Sequence, residues 1–296
     1  MALRLVQAVN CEAPPVPGEA CGTCRTCSQI NRMEHADLIV VRPEDGGVLK
    51  VEQVRDLQHF VSLAPYASNY RAALLLNFEQ ANTNAQNALL KTLEEPNPKV
   101  LMLVTVGDAE NLLPTITSRC ELIRLRPMAV DGLSALLQES GKADAERSAL
   151  IAHLSGGRVG YAYRLLEDTE YFARRTAWMN DLLELIRSGK NARIQYSHRH
   201  TSPSIIERAK AKIDLDEMMT FWLPFWRDVM LSCSGSSAML TNIDLEGAIR
   251  RIAQAVQPQE AERAVHSLEH AFVRLQSANL QLMLDNILLG WPIVHF

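Results

Sequence analysis

No stretch of this chain stays apolar for the ~20 residues that a membrane-spanning helix requires. The opening MALRLVQAVN also lacks a longer apolar run followed by a cleavage site. The expectation from these two absences is a soluble, cytoplasmic protein. A basic excess is missing as well: 30 Lys and Arg stand against 34 Asp and Glu, for a net charge of -4. A chain that gripped nucleic acid on its own would need such an excess to neutralise phosphates. Any nucleic-acid role is therefore expected to run through partner chains. Absent too is the pattern G-x-x-x-x-G-K-[ST], whose backbone N–H groups cradle phosphates in nucleotide-hydrolysing proteins. There is no internal repeat and no long low-complexity segment.

What is present is ordinary in bulk. Hydrophobic residues make up 47% and charged residues 22% of 296, enough chain for two or three domains with real cores. Six cysteines are less ordinary. Four of them, Cys11, Cys21, Cys24 and Cys27, follow the spacing C-x9-C-x2-C-x2-C. Thiolates on short tight turns can meet one zinc ion tetrahedrally, and four of them leave no open position for catalysis. Pro14, Pro15 and Pro17 stiffen the long arm, and Gly18 and Gly22 permit sharp bends. Arg25 and Arg32 are candidates to offset the thiolate charge. Two disulfides or plain buried thiols are the other reading, and the missing secretory signal argues for structural zinc. Cys120 and Cys233 stand alone and read as small buried hydrophobes.

Apolar patterning divides the chain. Residues 2–10 carry a short helical pattern, 37–41 (DLIVV) a buried strand, and 43–47 a turn. A helix is expected over 51–63, with Val54, Leu57 and Val61 on one face. Residues 71–76 and 100–106 read as second and third strands, separated by a helix over 82–95 that closes at Pro96. Residues 122–125 read as a short fourth strand. Strands alternating with helices imply a parallel α/β sheet. After Pro127 the chain turns helical, with short helices expected at 131–140, 143–155 and 161–168. A polar linker over 189–204, containing His198 and His200, precedes a last helical region from about Ile205 that holds Trp222 and Trp226 as core.

Three segments read together point to a family. They are NFEQAN at 77–82, NALLKTLEEP at 87–96 and LPTITSRC at 113–120. This series resembles the bacterial DNA polymerase III clamp-loader branch of the AAA+ ATPases, and the cysteine cluster resembles that family's zinc module. WLPFWRD at 222–228 and the segment 275–292 resemble its C-terminal collar. The resemblance implies an AAA+ nucleotide-binding-like domain over 1–126 with the zinc module at 11–27. It further implies a helical lid over 127–176 and a helical collar for oligomerisation over 195–296. In fold class the chain is then α/β followed by all-α, a truncated AAA+ sheet domain.

The resemblance also assigns roles. Motor subunits of the family hold magnesium with an acidic pair after a buried strand. Here Asn77 follows RAALLL, with Glu79 two residues on, and a neutral amide is a poor magnesium ligand. Tyr161 stands where a lid sensor arginine is expected, and Thr105 where a sensor residue follows the third strand. The implied subunit does not hydrolyse ATP itself, and no catalysis is expected from the chain alone. Arg119, flanked by Ser118 and Cys120, resembles the family's arginine finger, which acts on ATP held by a neighbouring subunit; a surface salt bridge is its blander role. Lys91, Glu94 and Glu95 read as a solvated group of charges ending a helix. Implied partners are tau/gamma-type motor subunits, a delta-type subunit and, through the assembly, the sliding clamp and primed DNA.

The opening ALRLVQAVNC resembles the helix that directly follows a P-loop. The family's first strand and phosphate loop are accordingly expected upstream of Met1, or lost from the lineage, and the 296 residues alone are expected to be poorly stable. Two other readings fit the residues: a motor ATPase cropped of its P-loop, or a zinc-bearing adaptor that only keeps the fold.

Overall fold

The computed structural model describes residues 1–43, 48–201, 205–275 and 278–295, with side chains from 210 onward in the third stretch. The turn expected at 43–47 falls, from Glu44 on, outside the described residues. The chain divides into two compact units, Met1–Arg124 and Leu125–Phe296. No described helix is long and apolar enough to cross a membrane.

The first unit contains α1 (Ala2–Asn10), α2 (Arg25–Asn31), β1 (Leu38–Val41), α3 (Val51–Ser62), β2 (Arg71–Leu75), α4 (Thr83–Glu94), β3 (Val100–Val104) and α5 (Pro114–Thr117). The strands form a parallel sheet in the order β1-β2-β3, with Leu38 opposite Ala72 and Arg71 opposite Val100. Every residue of β2 is buried, as its central place demands. Side chains alternate between faces, so the strand serves two cores. Ala73 and Leu75 join Val54 and Leu57 of α3 and Ala85 and Leu89 of α4. Ala72 and Leu74 join Val6 of α1 and Ile30 of α2. Helices thus cover both faces.

A buried charge locks the other end of the sheet. Asp37, just before β1, accepts from the backbone N–H groups of Tyr66, Ala67 and Ser68 and from the Ser68 hydroxyl, and pairs with Arg71 at 3.1 Å. Burial alone would raise its pKa. The donors from Tyr66, Ala67, Ser68 and Arg71 outweigh burial and hold it at about 2.

The fourth expected strand is not there. Residues 122–125 form no strand, and Leu122, Ile123 and Leu125 are exposed. A strand exists only through its hydrogen-bonded neighbour, and nothing among the described residues pairs with this segment or with the outer edge of β3. In keeping with that open edge, the wholly apolar β3 is only half-buried.

The second unit is helical: α6 (Val130–Glu139), α7 (Ala145–Ser155), α8 (Val159–Glu167), α9 (Thr169–Arg187), α10 (Lys190–His200), α11 (Ile205–Cys233), α12 (Glu246–Ala255), α13 (Pro258–Arg274) and α14 (Leu280–Gly290). One continuous apolar cluster runs from Leu133 to Val294 and encloses Trp222 and Trp226.

The linker expected over 189–204 is instead largely the helix α10. Its inward residues, Arg193, Tyr196 and Ser197, have helical spacing but are mostly polar, so no apolar stripe marks them. His198 lies 3.0 Å from the Gln281 amide, and His200 stacks on Tyr196 with ring centroids 4.2 Å apart.

Arg193 explains why a polar helix sits in a core. It is buried and donates to the carbonyls of Leu185, Leu288, Trp291 and Pro292 at 2.7–2.9 Å, and to that of Ile186 at 3.3 Å. These carbonyls belong to the C-terminal ends of α9 and α14 and the turn beyond, where helices carry partial negative charge and unsatisfied acceptors. Arg193→Met keeps the apolar stem but strands those carbonyls. The expected loss is about 1–3 kcal/mol for buried acceptors left unpaired, read as a fall in Tm of roughly 5–10 °C. A melt within 2 °C of wild type would show the bonds to be dispensable.

Candidate functional site

The cysteine cluster is built by two helix ends. Cys11 directly follows α1, Cys24 caps the N-terminus of α2, and Cys27 lies in its first turn. Gly18 and Gly22, with φ of +90° and +74°, supply the bends that bring Cys21 in between. The four Sγ atoms lie within 4.8 Å of one another, with Cys21 and Cys27 at 4.0 Å. A tetrahedron of thiolates at ~2.3 Å from one ion has edges of ~3.8 Å, so the group is close to the size a metal needs. No two of the four form a disulfide.

Backbone donors already point at the sulfurs. The N–H of Cys21 donates to Cys11 Sγ, that of Cys24 to Cys21 Sγ, and that of Cys27 to Cys24 Sγ. The Cys24 and Thr23 donors pull the Cys21 thiol down to about 6, whereas burial pushes Cys27 up. The residues fit a metal ion held by four thiolates. Gln7 of α1 donates to the Cys27 carbonyl at 2.8 Å and joins the two helices beneath the cluster. Arg25 and Arg32 are exposed. The guanidinium lying against the loop is that of Arg4, whose Nη1 is 3.6 Å from where a Cβ on Gly22 would stand. Its place one turn before Gln7 on α1 was the available signal, and sequence reasoning passed it over.

Arg119 ends the short turn after α5. Its N–H donates to the Ile116 carbonyl, and Ile116 is fully buried, which anchors the turn. Cys120 points back into the sheet core, where burial raises its thiol pKa. Ser118 and Arg119 face outward. Arg119 Nη1 donates to the Thr115 carbonyl at 2.9 Å and to Ser118 Oγ at 3.3 Å, and Nη2 meets Glu94 Oε1 at 2.7 Å. The side chains of Arg119 and Glu94 are 35% and 50% exposed. Lys91 and Glu95 are exposed, as expected of a solvated helix end. Glu94 as the partner of Arg119 was not foreseen.

The C-terminal ends of parallel strands are where such sheets usually bind ligands. Here Asn77 takes a left-handed conformation, φ +51°, and its N–H donates to Thr105 Oγ1. The Thr105 carbonyl accepts from Phe78, so Thr105 stitches the ends of β2 and β3 together. One carboxylate oxygen of Glu79 is buried without a hydrogen-bond partner among the described residues. In the second unit, Tyr161 is half-buried, with its hydroxyl 3.5 Å from that of Tyr171 and Arg158 over its ring.

A family model described as DNA polymerase III, delta subunit, matches residues 1–129. The DNA polymerase III subunit delta' of Bacillus subtilis is 27% identical over 272 residues, covering 92% of this chain and 80% of that protein. That of Escherichia coli is 28% identical over 283 residues, covering 93% and 79%. That of Pseudomonas aeruginosa is 37% identical over 157 residues, covering 52% and 48%. The chain thus spans about four-fifths of the first two proteins and about half of the third. In sequence the chain is thus similar to proteins named DNA polymerase III subunit delta', over most of its length in two of them.

Proposed function

We propose that the chain is a non-hydrolysing subunit of a DNA polymerase III clamp loader, holding structural zinc and lending Arg119 to a neighbour's ATP. The observation that carries this reading is similarity to subunits named delta' across both units. Cys11, Cys21, Cys24 and Cys27 hold the zinc, an ion that four thiolates suit. Bound there, it clamps α1 and α2 over one face of the sheet.

Asn77 supports the absence of hydrolysis in this chain, since its amide offers magnesium no charge. Arg119 supports a role across an interface: it is outward-facing, permanently charged, and carried on a turn anchored by Ile116. The neighbour is a tau/gamma-type motor subunit, and a delta-type subunit is the other partner. Residues 127–176 serve as lid and 195–296 as the collar through which subunits assemble. The assembly opens a sliding clamp and loads it on primed DNA.

Co-expression with tau/gamma-type and delta-type subunits tests the reading. The expected result is one complex of defined mass, by light scattering, that contains this chain. If the other subunits assemble while this chain elutes by itself, the reading is wrong.

A further inference from the structure

We propose that Glu94 is a positioning residue for Arg119, holding its guanidinium parked against α4 until the interface with ATP forms. The inference rests on the arginine-finger reading and extends it. The Nη2 that meets Glu94 at 2.7 Å is a donor a phosphate oxygen would need, so the two engagements compete. Nη1 is occupied too, by the Thr115 carbonyl at 2.9 Å. In this arrangement the fork is directed at its own chain.

The strength of the hold suits a reversible catch. A half-exposed ion pair biases the arginine by up to about fivefold, equivalent to about 1 kcal/mol. A polyphosphate with magnesium beside it can overcome that bias, yet in its absence the parked state dominates.

Geometry links the catch to α4. Beside the apolar packing of Leu89 with Ile116, two polar contacts join this helix to the segment 113–119. One is buried: Gln86 Oε1 accepts from the Leu113 N–H at 3.0 Å, while the Gln86 amide donates to the Ala81 carbonyl. The other is the exposed pair, eight residues on and so about 12 Å further along the helix. The buried contact and Leu89 fix the body of α4, so a displacement confined to its last turn moves Glu94 and leaves Leu113 in place. A shift of the last turn of α4, beyond the buried Leu89, would release Arg119.

The test uses the reconstituted loader carrying wild type, Glu94→Gln, Arg119→Ala or both, with ATP turnover measured with and without clamp and primed DNA. Glu94→Gln is expected to raise the basal rate by two- to fivefold and to leave the stimulated rate within twofold. Added salt should lift the wild-type basal rate, relative to that of Glu94→Gln, by screening the pair. In the Arg119→Ala background Glu94→Gln should change nothing. A basal rate equal to wild type, or a rise that persists without Arg119, would overturn the proposal. If Arg119→Ala itself leaves the stimulated rate unchanged, the finger reading fails first and the role of Glu94 with it.

Discussion

Arg119→Ala is expected to abolish most of the ATP turnover at the site this subunit serves, with the chain still folded and still in the complex. Arginine fingers supplied across an interface contribute ~10³–10⁵ in rate in GTPases, equivalent to about 4–7 kcal/mol of barrier. The folding cost is small by comparison. In the free chain the guanidinium makes a half-exposed pair with Glu94 and a bond to the Thr115 carbonyl, and pairs of this kind contribute about 1 kcal/mol or less. Turnover and stability should therefore separate: a large loss in stimulated ATPase, a melt shifted by no more than a few degrees. Arg119→Lys keeps the charge but loses the planar fork, so it should rescue little. Full stimulated activity in the alanine variant would remove the assignment.

Stripping the metal should have the second large effect, this time on structure. Elemental analysis of the purified chain is expected to show about one zinc per chain, and prolonged chelation should release it. Structural zinc sites in small peptides contribute about 10–16 kcal/mol of apparent folding free energy. Here the effect should be smaller, because Val6 and Ile30 still pack α1 and α2 on the sheet and the Gln7–Cys27 bond still joins the two helices. The loop from Cys11 to Cys24 is held mainly through its sulfurs and a hydrogen bond from Thr26 to Glu12, and should loosen first, exposing its backbone to hydrogen exchange. Cys27→Ser should lose zinc, whereas Cys120→Ser and Cys233→Ser should keep it, since those thiols lie in other parts of the fold. Retention of stoichiometric zinc by Cys27→Ser would exclude the four-thiolate site.

Much of the architecture was readable from residue patterns, for reasons that differ by element. The three strands announce themselves as short apolar runs between helices, because a parallel strand covered on both faces has no polar side. Residues 122–125 carry a similar apolar signal and form no strand. Apolar content reports a wish for burial, whereas a strand also requires a neighbour to pair with. The helix α10 fails in the opposite direction: its buried residues are Arg193, Tyr196 and Ser197, so its inward face looks like a linker. Only the ring of carbonyls around Arg193 shows why that face is inside.

The same division runs through the candidate site residues. The cysteine cluster could be named from spacing because three of the four lie within seven residues, and chain geometry forces such neighbours together. Arg119 is singled out by its flanking motif, and the structure puts it on an exposed turn. Its partner could not be named, since Glu94 lies twenty-five residues away and meets it only because α4 and the α5 turn pack side by side. The pairing of Asp37 with Arg71 across thirty-four residues is of the same kind. Short-range chemistry is written in the order of residues, because bond lengths and turns leave few alternatives. Long-range partners are chosen by packing, and packing is what gave Arg119, a cation in the sequence, Glu94 as its ion-pair partner.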